Sequence, residues 1–332
     1  MIKIAQIGIC DFNHGKQVWN SINANSDIFE VVGFALPENE RLLSPKRVGA
    51  FDGYREMTVD EILSNPDIKA VTIETEEKHL TKYALMAAKA GKHIHMEKPG
   101  GQNLAEFEEL IETVRKNKTV LHIGYMYRYN PYIMELTERI KSGEFGEIIS
   151  VEAQMSCYHK LPLRKWLEGY MGGSLFYLGC HLIDLILQIQ GTPTNIIPLN
   201  KRTQTDGINC TDYGFTVFEY PNGVSFAKVC SLERGGYFRR NLVITGTKAN
   251  AVLCPLEDGN ESEMTTTLNF CDSSSFGARG KITKCEPFDR YLKMMRSFGE
   301  YVLGEKNNPY TLDYELELYK TILKACGVIV EQ

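Results

Sequence analysis

No apolar run in the chain approaches the ~20 residues needed to cross a bilayer, so nothing in it reads as a membrane span. There is no basic stripe either. Lys and Arg number 37 against 42 Asp and Glu, a formal net charge of −5, which argues against a nucleic-acid partner. The nine cysteines are scattered, odd in number and without one Cys-x-x-Cys spacing. That pattern excludes a disulfide framework or a zinc site as the expectation and suits reduced thiols in the cytoplasm. Internal repeats and low-complexity linkers are absent too. The opening MIKIAQIGI carries Lys3 inside a short apolar strand pattern, and the residues after it lack a signal-peptide core. These exclusions leave a soluble cytoplasmic protein, long enough at 332 residues for two domains, with an ordinary 43% of hydrophobic residues to bury.

Two textures divide the chain, and the division is expected at residues 1–125 and 126–332. The first part alternates apolar runs at Ile2–Ile9, Phe29–Ala35, Ala70–Ile73, His93–Met96 and Val120–Ile123 with helical segments. Thr58 and Glu61 are spaced as a capping box, and so are Asn103 and Glu106. Leu80–Ala90 reads as a helix closed by Gly91. Short apolar strands alternating with helices mean a parallel sheet covered on both faces, a doubly wound α/β domain. The second part opens with a helix over Pro131–Lys141 and continues with long runs of antiparallel type: Ile148–Cys157, Phe215–Tyr220, Val224–Cys230 and Asn241–Thr245. Pro221-Asn222-Gly223 marks a hairpin in which the glycine tolerates positive φ. Residues 271–280, CDSSSFGARG, read as a mobile loop. Helices at Asp289–Leu303 and Leu312–Val330 close the chain, the last expected to pack back on the first domain. An α+β domain with a large antiparallel sheet offers one open face for a homodimer or homotetramer.

The first strand-to-helix turn is the expected pyrophosphate site, because glycine-rich turns and helix N-termini bind phosphate. Here it reads GICDFNHG. Gly8 stands first, followed by Ile9, with Cys10 and Asn13 at the other two glycine positions and Gly15 as a substitute in a longer loop. A plain turn is the alternative. The second strand ends at Leu36 where an NAD-type carboxylate is sought, with Glu38 two residues on. Arg41, Lys46 and Arg47 come next, either to meet a 2′-phosphate or to form a solvated face. In GGSLFYLGCHLIDLILQ the polar residues Tyr177, His181, Asp184 and Gln188 fall at i, i+4, i+7 and i+11, one stripe of an apolar helix. Such a stripe is a pocket wall or an internal hydrogen-bonded row. His93-x-His95 is spaced as a metal pair but has no third ligand, so strand packing is expected and no metal. Arg128 and Tyr129, in MYRYNP, line a cleft or an interdomain turn.

Together these segments resemble the glucose-fructose oxidoreductase / inositol dehydrogenase / MocA family over nearly the whole chain. The resemblance rests on Glu97-Lys98-Pro99 after AGKHIHM, on RYNP at Arg128–Pro131 and on GEFGEI at Gly143–Ile148. GGSLFYLGCHLID and ITGTKANAVL at Ile244–Leu253 complete it. It implies an N-terminal Rossmann domain binding NAD or NADP and a small-molecule, carbohydrate-like substrate. It further implies that Lys98 hydrogen-bonds the reacting oxygen and that His181 is the acid/base, the two facing one shared crevice. Asp184 would orient the imidazole or be satisfied internally, Glu97 would contact the cofactor or brace the lysine, and Thr75 would lie near the nicotinamide ribose. Arg128 and Tyr129 would join Lys98, Tyr177 and His181 about the substrate. The chain also departs from the family pattern. Tyr177 replaces an aspartate with a group neutral near pH 7, and Thr75-Glu76-Glu77 stands for Thr-Pro-Asn. Cys10, Asn13 and Leu36 alter the dinucleotide turn. The expected activity is an NAD(P)-dependent oxidoreductase on a sugar, polyol or related alcohol. Glycoside cleavage through transient oxidation and a non-catalytic ligand-binding relative are the alternatives.

Overall fold

The structure, a computed structural model, describes residues 1–260 and 262–328. Two compact units divide the described residues: 1–126 with 291–316, and 127–290 with those from 317 onward.

Five parallel strands form the first unit: β1 Ile2–Ile7, β2 Phe29–Ala35, β3 Ala70–Ile73, β4 His93–Met96 and β5 Leu121–Ile123, in the order β2-β1-β3-β4-β5. Between them run α1 Gly15–Ala24, α2 Val59–Ser64, α3 Leu80–Lys89 and α4 Leu104–Asn117. Every residue of β3 is buried, as expected of a strand covered on both faces. Thr58 and Glu61 close the capping box on α2 in both directions, and Asn103 accepts from the Glu106 amide to start α4. In this strand order the chain reverses its direction of winding between β1 and β3. Ligands of such sheets bind outside the carboxyl ends of the strands that flank that switch point.

One polar row crosses this otherwise apolar sheet. Gln6, Thr72, His95 and His122 are mutual neighbours on β1, β3, β4 and β5. Thr72 Oγ1 donates to Gln6 Oε1 at 3.2 Å, and the Nδ1 atoms of His95 and His122 lie 2.7 Å apart. Gln6 Nε2 donates to the carbonyls of Gly8 and Gly15, both at 3.1 Å. The row thus pins the β1–α1 turn to the sheet. Phe298, on α7 Leu292–Leu303, stacks on His122 at 5.5 Å and on Phe29 at 6.2 Å.

The second unit holds an eight-stranded sheet. Its strands are β6 Ile148–Gln154, β7 Asn195–Pro198, β8 Tyr213–Tyr220, β9 Gly223–Cys230, β10 Asn241–Gly246, β11 Asn250–Leu253, β14 Thr267–Cys271 and β15 Lys281–Lys284; β12 Asp258–Asn260 and β13 Glu263–Thr265 form a separate ribbon. The order is β15-β14-β11-β10-β6-β9-β8-β7, and only β6 and β9 pair in parallel. Helix α5 Pro131–Lys141 precedes the sheet, and α6 Cys180–Gln190 lies on β6 and β9. On β9, Ser225, Ala227 and Val229 point inward, and Val224, 51% exposed, opens the other face.

Two expectations change. Gly223 does not take a positive φ; a Cβ there would stand 1.8 Å from the Ile149 carbonyl oxygen, so close approach of β9 to β6 is what demands glycine. The last helix, α8 Leu312–Ala325, ends in a turn at Cys326 and Gly327. Its expected continuation to Val330 lies outside the described residues. Among the described residues no helix is long and apolar enough to cross a membrane.

Candidate functional site

In the first unit the carboxyl ends of β1, β3 and β4 gather the expected residues. Gly8 has φ 83°, and a Cβ on it would lie 2.4 Å from Thr75 Cγ2, so only glycine fits where β1 turns against the end of β3. Ile9 and Cys10 are buried in the turn. Burial pushes the Cys10 thiol up, with Glu77 adding to the effect. Asn13, at the altered third glycine position, acts as a clamp. Its Nδ2 donates to the Glu74 and Thr75 carbonyls at 3.1 and 2.9 Å, and its Oδ1 accepts from the Gly15 amide at 3.1 Å. Gly15 opens α1 where a Cβ would come within 2.9 Å of Glu74 Cβ. The longer loop therefore still delivers a helix N-terminus to the switch point.

Beyond β2, Leu36 is half-buried and helps to line a groove of about 480 Å³ with Pro37, Glu56, Met57 and Thr58. Glu38 is already engaged by Tyr83 Oη at 2.6 Å and Lys82 Nζ at 2.9 Å. Arg41 pairs with Glu56, Lys46 is exposed, and Arg47 Nη2 donates to the Asp11 carbonyl at 3.2 Å. Of the three cations, Arg47 reaches back to the β1–α1 turn.

At the end of β4, Lys98 is 1% exposed and its Nζ stands 3.6 Å from Glu97 Oε1. His14 Nδ1 stands 3.4 Å from the same oxygen. The Lys98–Pro99 peptide is cis, and the next residue, Gly100, is held by the Thr81 hydroxyl on its carbonyl. Two further carboxyls are fully buried here. Burial holds Glu77 up at about 8, with Lys98 opposing and Glu97 reinforcing. Burial, then Glu97 and Glu77, push Glu74 well above the carboxylate range. Burial would raise Glu97 as well, but His14 and Lys98 outweigh it and keep it below the ordinary value. The sequence reading missed Glu74, which directly follows β3, because attention to the Thr-Glu-Glu departure began one residue later. His93 and His95 do not converge on a common ligand. His93 Nδ1 accepts from the Val120 amide at 3.0 Å, and His95 Nε2 faces Glu74 Oε1 at 3.5 Å. Among the described residues no three His, Cys, Asp or Glu side chains converge as a metal site.

In the second unit α6 carries His181, Asp184 and Gln188 of the expected polar stripe. His181 is 1% exposed, with the Tyr127 ring edge-on at 5.0 Å. One turn on, Asp184 receives Arg128 in a bidentate pair, Nη2 to Oδ1 at 2.8 Å and Nε to Oδ2 at 3.0 Å. Gln188 Nε2 donates to Asp184 Oδ2 at 2.8 Å. Tyr127 and Arg128, neighbours on the short turn Met126–Tyr129, thus grip α6 at two successive levels, and Tyr129 is buried beside them. Tyr127 also hydrogen-bonds Glu257, which takes Arg240 Nη1 at 2.6 Å and Arg290 Nη2 at 2.7 Å. The expected stripe is α-helical only from Cys180 onward. Leu175–Gly179 is a π turn, whose wider winding shifts the phase of the residues before it. Tyr177 lies in that turn, its ring edge-on to Trp166 at 5.6 Å and to His159 at 6.1 Å. The i, i+4 spacing could not reveal the insertion, because no proline or glycine pair marks a π turn in sequence.

Residues 2–125 match the family model described as an oxidoreductase family with an NAD-binding Rossmann fold, and residues 133–252 match that of the GFO/IDH/MocA C-terminal domain. The uncharacterized oxidoreductase YhhX of Escherichia coli (strain K12) is 30% identical over 42% of this chain and 40% of its own. The scyllo-inositol 2-dehydrogenase (NADP(+)) IolW of Bacillus subtilis (strain 168) is 25% identical over 49% of this chain and 46% of its own. The matched stretches therefore span less than half the length of these two relatives. A solved aldose-aldose oxidoreductase from Caulobacter crescentus, complexed with glycerol, superposes with TM-score 0.80 at 17% identity over 98% of this chain and 97% of that one. That likeness carries the fold.

Proposed function

The chain belongs to the GFO/IDH/MocA family of oxidoreductases, and from that premise we propose that it transfers hydride between a nicotinamide dinucleotide and a sugar, polyol or related hydroxy compound. The observation that carries this reading is Lys98, a lysine buried at the carboxyl end of β4 with a carboxylate beside it. An ammonium has no packing reason to be buried there.

The β1–α1 turn fits a dinucleotide, because Gly8 leaves no room for a Cβ and the amides that open α1 come directly after it. Gly8, Ile9, Cys10 and Asn13 would hold the pyrophosphate side, Leu36 the adenosine side, and Thr75 and Glu97 the nicotinamide side. NAD and NADP are both admitted. When bound, the nicotinamide supplies the hydride acceptor. Lys98 donates to the reacting oxygen and stabilises alkoxide character. His181 takes the hydroxyl proton during oxidation and returns it during reduction. Asp184 anchors the helix that carries His181 through its pair with Arg128, and Tyr177 offers a neutral phenol on the substrate side. Arg128 serves this anchoring, and with Tyr129, next to it in the chain, it would stand at the edge of the substrate site.

The protein would work in the cytoplasm, which its nine free cysteines suit, as a homodimer or homotetramer joined through the open sheet face. The test measures substrate-dependent NAD(P)H absorbance over a panel of polyols and aldoses. Lys98→Met and His181→Ala, each folded by circular dichroism, should lose ~10²-fold or more in kcat. Full activity in either variant would remove that residue from the mechanism. Calorimetric titration with both dinucleotides tests the cofactor independently; no heat with either would leave a ligand-binding relative.

A further inference from the structure

Beside Tyr177, whose ring lies edge-on to His159, the second unit holds a hydrogen-bonded row to which the proposed reaction assigns no role. Cys157 Sγ lies 2.9 Å from His159 Nε2, and His159 Nδ1 lies 2.8 Å from Ser231 Oγ. Ser231 is bonded in turn to Ser174, and both serines are fully buried. Backbone bonds fix the register: the Cys157 amide donates to the Cys230 carbonyl at 3.0 Å, and that of His159 to the Ser231 carbonyl at 2.8 Å. Cys157 is half-buried, and the adjoining Tyr158 is 42% exposed. A thiol, an imidazole within hydrogen-bond reach of it, and a third group orienting that imidazole make the arrangement of an activated nucleophile.

We infer that Cys157 is a base-assisted nucleophilic thiol, a modification site for small electrophiles of the hydroperoxide class. In the resting state the thiol is neutral and donates to His159. Burial pushes the thiol up, although Arg240 hydrogen-bonds the sulfur and opposes this. Burial, then the nearby Arg240 and Arg164 charges, hold His159 down at about 4. The imidazole is therefore neutral at rest, and a proton that it receives passes on within the same step. Cys230 and Glu233 also face the sulfur; both disfavour a standing thiolate, so the proton leaves during attack. In that step the sulfur attacks one peroxide oxygen, the S–O bond forms and the O–O bond breaks. The thiol proton passes through His159 Nε2 to the departing oxygen, which leaves as water from hydrogen peroxide or as the alcohol from an alkyl hydroperoxide. Sulfur is oxidised to the sulfenic acid and the peroxide is reduced. Ser231 holds the ring orientation throughout, and partial burial of the sulfur excludes bulky electrophiles.

The experiment maps cysteine reactivity in the full chain by mass spectrometry, after brief exposure to iodoacetamide and, separately, to hydrogen peroxide followed by dimedone. Exposed Cys254 serves as the reference and buried Cys10 as the fold control. Cys157 should alkylate on the order of tenfold faster than Cys254, within the range a positioned base supplies, and should carry the first dimedone adduct. His159→Gln should bring the Cys157 rate to or below that of Cys254 while Cys254 stays unchanged. If that variant exposes Cys10 by unfolding, Ser231→Ala decides, with a severalfold fall in the Cys157 rate expected. Wild-type Cys157 reacting no faster than Cys254, or a folded variant of His159 or Ser231 leaving its rate unaltered, would overturn the assignment. Rapid alkylation without any dimedone adduct would overturn the hydroperoxide class.

Discussion

Cutting the pair between Arg128 and Asp184 should be among the costliest single changes in the second unit. Both side chains are 1% exposed and meet through two parallel N–H···O contacts, with Gln188 as a further donor to the carboxylate. Removing one partner of a buried pair costs ~3–5 kcal/mol, because the other charge stays behind in a low-dielectric site. Asp184→Leu should be the harsher variant, since a guanidinium cannot shed its proton whereas the carboxyl left by Arg128→Leu can take one up and keeps Gln188. At ~2–4 °C per kcal/mol for a unit of this size, either variant should lower the thermal midpoint by about 10 °C. The double variant Arg128→Leu/Asp184→Leu removes both charges and should be more stable than either single one, a coupling of ~2 kcal/mol or more. Differential scanning calorimetry of the four proteins measures the cycle. Strictly additive losses, or single losses below ~1 kcal/mol, would show that the pair is not the tie inferred for α6.

Glu77→Gln should flatten a pH dependence. The folded carboxyl sits at about 8 against a reference of 4.5, so the unfolded chain gives up the proton first, and stability is full below about pH 4.5 and lost as pH rises to about 8. The variant should therefore gain more in thermal midpoint at pH 8 than at pH 5; an equal gain at both refutes the assignment. Gly8→Ala should cost roughly 1–3 kcal/mol and abolish dinucleotide binding in calorimetry, since both the φ of 83° and the contact with Thr75 forbid a Cβ. Val224→Lys, on the open sheet face, should shift sedimentation toward monomer if that face joins copies; an unchanged profile would move the interface elsewhere.

Strand positions were legible because burial on both faces leaves a sequence signature. Phe29–Ala35, Ala70–Ile73 and His93–Met96 fall where short, mostly apolar runs place them. The box at Thr58 and Glu61 was legible for a similar reason, since both partners lie within one turn. Contacts between distant segments leave no such local mark. The clamp from Asn13 to the end of β3 spans about sixty residues of chain, so the sequence displays the altered glycine position and not the tie that Asn13 makes there. Gly223 was correctly tied to a hairpin but for the wrong cause, because its constraint comes from Ile149 on another strand. The α-helical stripe through Tyr177 assumed constant winding, and nothing in the local sequence marks the π turn.

The end of β4 makes sense once its charges are taken together. A lone ammonium at 1% exposure would be expelled or deprotonated, and a single carboxylate 3.6 Å away offsets part of that cost. Two more ionised carboxylates in the same volume would repel both Glu97 and each other. Burial settles the conflict by proton uptake: Glu77 and Glu74 rise, and Glu97, with His14 and Lys98 as partners, stays ionised. Burial thus favours the protonated form of Glu77 and Glu74 and leaves Glu97 as the carboxylate that faces Lys98. The proton inventory belongs to the group rather than to any one residue. Removing Glu97 alone would strand Lys98 and draw a replacement charge from Glu77 or Glu74. The charge balance of the Glu-Lys-Pro turn therefore depends on the acids that follow β3.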